Sequence, residues 1–142
     1  MAAVREFLPV AQLNRIARLG ADGDRTVLDR GWGAVVTIDV SGFSALAARH
    51  AREGARGIEA LSEIVHVFFG AITEHVLRGG GDVLYHAGDA VCALFPASSE
   101  AERDDACRRA VRAALDAHAR LADSATAAGV ALRAAIGCGE TR

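Results

Sequence analysis

Two aspartates in small-residue turns are the positions in this chain whose surroundings could do chemistry. Asp39 lies near the end of the apolar, β-branched run from Ala34 to Val40, which Ser41-Gly42-Phe43-Ser44 follows; Asp89 follows Gly88 in Tyr85-His86-Ala87-Gly88-Asp89-Ala90. A carboxylate at the end of a strand, next to a glycine turn that opens a helix, can hold a divalent cation beside anion-binding backbone amides. A second carboxylate at a hairpin tip would complete the cage, with the Val40 carbonyl as a further oxygen ligand. Such hard oxygen donors suit Mg²⁺ or Mn²⁺ completed by water and phosphate. Taken alone, each aspartate reads as a helix cap or a turn residue. Only the two contexts together point to a nucleotide site.

The elements that must position these groups follow from apolar spacing. Residues 5–20 have a helical pattern and end at Gly20, and the turn-rich stretch after it reads as a linker, so residues 1–30 form an N-terminal appendage and 31–142 the main domain. Ala34 to Val40 predicts a strand buried on both faces. A helix from Ser44 to His50 follows, capped by Ser41 or Ser44 and broken by Gly54 and Gly57. Apolar residues from Ile58 through Phe68, Phe69 and Ile72 to Val76 predict a long amphipathic helix that stops at Gly79-Gly80-Gly81. Val83–His86 and Val91–Phe95 form a hairpin closed by Pro96, with Asp89 at its tip. An alanine-rich helix from Glu100 to Ala122 turns Ala106, Val111, Ala114, Leu115 and Leu121 inward, and Val130–Gly137 makes the last strand. The order strand, helix pair, strand, strand, helix, strand predicts an α+β, ferredoxin-like split βαβ fold: an antiparallel sheet with helices on one face. That order brings Asp39 and Asp89 to one sheet edge.

Composition removes several function classes. The chain has 142 residues, 51% of them hydrophobic, enough for one domain with a core, and its net charge of -2 with interspersed signs lacks the basic face that nucleic acid requires. It contains no lysine, so neither a phosphate-loop lysine nor a Schiff base is available. The three cysteines have no metal-type spacing and are expected as reduced, mostly buried thiols. With no secretory leader pattern and no long uninterrupted apolar run, a cytoplasmic protein without a membrane segment is expected.

The runs Ile38-Asp39-Val40-Ser41-Gly42-Phe43-Ser44 and Gly80-Gly81-Asp82-Val83-Leu84-Tyr85-His86-Ala87-Gly88-Asp89-Ala90 resemble the catalytic domain of class III adenylate/guanylate cyclases, most closely the bicarbonate-responsive soluble type. The resemblance implies that Asp39, Asp89 and the Val40 carbonyl hold a two-ion Mg²⁺ or Mn²⁺ site. It also implies that Ser41, Gly42, Phe43 and Ser44, with Gly88, bind the triphosphate of ATP or GTP, which cyclises with loss of pyrophosphate. Tyr85 stands where the family often has a base-contacting lysine. The family's later aspartate, asparagine and arginine have no counterpart before Arg142, so the resemblance covers the metal-holding side. A homodimer or a second cyclase-like domain is then the expected partner. The alternative is a catalytically inactive interaction domain derived from a cyclase. Gly80-Gly81-Asp82 superficially suggests a diguanylate cyclase, but Val83 and Leu84 follow where an acidic residue and phenylalanine would stand, which disfavours that reading.

Overall fold

The computed structural model describes Pro9, Val10, Leu13, Ala17 and residues 30–141; most of the expected N-terminal helix and its linker lie outside the described residues. The elements run β1 (Gly31–Ser41), α1 (Phe43–Ala51), α2 (Ala55–Arg78), β2 (Asp82–Ala87), β3 (Ala90–Ala97), a 3₁₀ turn (Glu100–Glu102), α3 (Arg103–Ala128) and β4 (Ala131–Thr141). The sheet order is β2-β3-β1-β4, and every neighbouring pair is antiparallel. This is the split βαβ arrangement read from element order.

Alternation along the strands assigns the two faces. Ala34, Val36, Ile38 and Val40 of β1 are buried with Val91, Ala93 and Phe95 of β3, Phe68, Ile72 and Val76 of α2, and Ala106, Ala110, Ala113, Ala117 and Leu121 of α3. The other parity (Val35, Thr37 and Asp39 on β1) points to the face without helices. By length and composition α2 could cross a membrane, but it is the helix whose Phe68, Ile72 and Val76 fill the core under the sheet.

Several sequence expectations need correction. Ser41 and Ser44 do not cap α1: its N-cap is Gly42, at φ 94° with no side-chain cap bond, a conformation that disfavours any residue bearing a Cβ. Gly57 does not break a helix but lies buried in the first turn of α2, and Ile58 beside it is exposed. Pro96 does not end β3; it lies within the strand opposite Gly33. Helix α3 continues past Ala122 to Ala128, because the alanine stripe continues into the core at Ala125 and Ala128. That stripe also sets the helical phase, so Val111 and Leu115 are exposed rather than inward. The last strand runs on to Thr141.

The small side chains of α3 permit its close approach to the sheet, and one arginine fastens the junction. Arg109 donates to the carbonyls of Gly79, Gly80 and Pro96, the last at 2.7 Å, and lies over the Phe95 ring. A charged donor that satisfies three carbonyls at a helix end and a strand is worth more than an exposed ion pair.

Candidate functional site

Asp39 and Asp89 come together, at the end of the central strand pair rather than at a sheet edge. Asp39 is paired across the β1–β3 ladder with Ala90, the residue after Asp89. The Val40 N–H donates to the Asp89 carbonyl at 3.1 Å, fixing the hairpin turn beside the end of β1. Gly88, at φ 63°, supplies the left-handed residue of this turn, and Asp89 follows it with no strained backbone of its own.

The electrostatic state of the pair is distinctive. Among the described residues, only Asp39, Asp82 and Asp89 are acidic side chains withdrawn from full exposure. Asp82 has an interaction partner, but neither Asp39 nor Asp89 has an ion pair or a side-chain hydrogen bond among the described residues. Other acids readily find arginines: Asp104 with Arg103, Asp105 with Arg108 and Arg109, Glu74 with Arg78. Half-buried carboxylates left without a counter-charge cost stability unless something else neutralises them. Hard oxygen donors in this state fit a divalent cation. Among the described residues no three His, Cys, Asp or Glu side chains gather around one point. A cation here would therefore rely on these two carboxylates and backbone oxygen.

The register supplies a group that the sequence leaves unassigned. Arg133 of β4 is the cross-strand partner of Asp39, so Ala87, Ala90, Asp39 and Arg133 form one row across the helix-free face. Arg133 is exposed and has no ion-pair partner among the described residues. Only strand pairing reveals it, because its distance from Asp39 in sequence carries no local signal.

The next row carries Tyr85, Cys92, Thr37 and Ala135. Tyr85 is 57% exposed, whereas Cys92 is buried. A hydrogen bond to the Cys92 side chain, then the charge Cys92 can carry, raise the phenol above its ordinary pKa of 10. Because the folded value lies above the unfolded one, the stability this contributes is present below pH 10 and is lost as pH rises through the raised value. Tyr85 is the sole tyrosine, so ultraviolet absorbance reads it alone. Its titration should fall back toward the ordinary value in Cys92→Ala; an unchanged curve would refute the contact.

The remaining residues behave simply. Phe43 packs against the core and anchors the turn after Asp39. The first amides of α1, from Phe43 to Ala45, have no intrahelical acceptor by helix geometry, and the dipole makes that end favourable to an anion. His86 is on the helix side of the sheet, with its ring 5.5 Å from that of Phe69. It is therefore directed away from Asp39.

No protein-family model matches the chain. Over 107 residues it is 32% identical to adenylate cyclase type 10 of Oryctolagus cuniculus, an overlap of 74% of this chain but 7% of that protein. It is 40% identical over 74 residues to the same protein of Homo sapiens, covering 51% of this chain and 5% of that one. The chain is a homologue of the class III nucleotidyl cyclases. The fold agrees: a bacterial light-regulated adenylyl cyclase superposes with a TM-score of 0.69 at 17% identity, covering 98% of this chain and 39% of that one. As a cyclase homology domain, the chain spans only a small fraction of the length of the curated relatives it matches.

Proposed function

We propose that this cyclase homology domain is the metal- and triphosphate-binding side of a site that converts ATP or GTP to a cyclic nucleotide and pyrophosphate. The observation that carries this reading is the pair of half-buried carboxylates of Asp39 and Asp89, without a side-chain partner among the described residues and joined through the Val40–Asp89 backbone bond. Asp39, Asp89 and the Val40 carbonyl would hold Mg²⁺ or Mn²⁺. Bound there, the ions would lower the pKa of the ribose 3′-hydroxyl and neutralise phosphate charge.

The chain's own groups do the rest of the binding. Backbone amides from Ser41 to Ser44 would hydrogen-bond phosphate oxygens at the α1 N-terminus, with Gly88 keeping the opposing turn open. Arg133 would hold the triphosphate by a charge-assisted contact, close to Asp39 yet not consumed by it. Tyr85 offers an aromatic surface on the same face, where a lysine would supply a polar base contact. The open face would be covered by a second cyclase-like domain.

Calorimetric titration with ATP and GTP in the presence and absence of Mn²⁺, with mass-spectrometric detection of cyclic nucleotide, tests the proposal. Mn²⁺-dependent binding is expected; binding of neither nucleotide in the presence of Mn²⁺ would overturn it. Arg133→Gln should weaken ATP about tenfold, the worth of one charge-assisted hydrogen bond, and AMP much less. An equal effect on ATP and AMP would remove Arg133 from the triphosphate.

A further inference from the structure

Of the three cysteines, only Cys92 is buried; Cys107 is partly buried and Cys138 exposed, so the expectation of mostly buried thiols fails at two positions. These two are neighbours. Cys138 pairs with Ala34, which puts it on the helix side of β4 with Ile136, where α3 packs. Cys107 packs against the same core from the first turns of α3. The two thiols thus come from facing elements and lie within side-chain interaction range, although the whole of the intervening chain from Arg108 to Gly137 separates them.

From this juxtaposition we infer that Cys107 and Cys138 form a reversible disulfide that clamps the edge strand β4 to α3. Access is available on the α3 side. Cys107 lines a shallow groove of about 560 Å³ together with Asp104, Arg108, Val111, Arg112 and Leu115. The arginines suit an anionic disulfide oxidant such as glutathione disulfide. The sulfur of Cys107 attacks one glutathione sulfur and releases one glutathione thiol. Cys138 then loses its proton, and its sulfur attacks Cys107 Sγ and expels the second glutathione. Two protein thiols are thus oxidised by two electrons while glutathione disulfide is reduced to two thiols.

Although Cys138 as a whole is exposed, desolvation of its thiol on the helix side of β4, then its interaction with Cys107, push that thiol up to about 11, with Arg103 pulling the other way and Asp104 adding to the rise. Cys138 is therefore the slower, resolving partner, and its own thiolate seldom starts the exchange. The clamp fixes the strand that bears Arg133.

The test treats the purified chain with glutathione disulfide, followed by alkylation and peptide mass mapping. The expected product is a monomer lighter by two hydrogens, with a Cys107–Cys138 linked peptide and Cys92 still alkylated. Its melting temperature should rise by about 5 °C and return on adding dithiothreitol, since the closed loop is long. Cys92→Ala should keep the link, whereas Cys107→Ser and Cys138→Ser should lose it. A persistent glutathione adduct, an intermolecular dimer, a link through Cys92, or three thiols still free would each overturn the inference.

Discussion

Replacing Asp39 by asparagine should reduce Mn²⁺-dependent binding of ATP or GTP by about a hundredfold, and Asp89→Asn should do the same. The magnitude follows from charge. Each substitution removes one of the two proposed anionic ligands while keeping the side-chain volume, and a loss near 3 kcal/mol corresponds to about two decades of affinity. On the proposed reading both residues serve one ion pocket, so the double variant should bind little worse than either single one. Thermal stability should stay level or rise, since among the described residues neither carboxylate has a counter-charge whose loss would leave a buried group unpaired. Asp116→Asn, at an exposed position on α3, is the control and should leave binding unchanged. Wild-type affinity in both site variants, measured by calorimetry, would end the case for a nucleotide site here. Weaker binding accompanied by an equal drop in melting temperature would instead assign the aspartates to the fold.

What could be read from the sequence was what depends on periodicity and order. The central strand, the long helix, the hairpin and their succession are local patterns, and together they leave one economical topology that brings residue 39 beside residue 89. What could not be read depends on partners that local pattern does not name. Arg133 gained its place from the β1–β4 register. Val111 and Leu115 looked like core because they are bulky and apolar, but the alanine stripe, with Leu121, fits closer to the sheet and turns them out. Serine beside a helix start suggested a cap, yet the left-handed Gly42 makes the bend that brings α1 over the end of β1, and no serine bond is formed. Cys107 and Cys138 gave no spacing signal at all, because an αβ crossover joins them.

Gly57 gives the clearest case of a residue misread as local punctuation, and its replacement has the largest expected effect on stability. A Cβ at Gly57→Ala would overlap the carbonyl oxygen of His50 and stand 2.7 Å from its carbon. These are backbone atoms, so no rotamer change relieves the overlap; α1 must move off α2. Alanine gains about 1 kcal/mol of helix propensity over glycine, whereas overpacking against fixed atoms costs about 3 kcal/mol. The clash prevails, and the melting temperature should fall by several degrees, on the order of 5–10 °C. Gly70, in the same helix, separates the two contributions: a Cβ there meets nothing within 4 Å, so Gly70→Ala should stabilise by up to about 1 kcal/mol. Since α1 carries the Ser41–Ser44 turn at its start, displacing it should also weaken nucleotide binding in Gly57→Ala, while Gly70→Ala leaves that binding intact. Equal melting temperatures for the two variants would mean that α1 and α2 do not approach as closely as the His50 carbonyl requires.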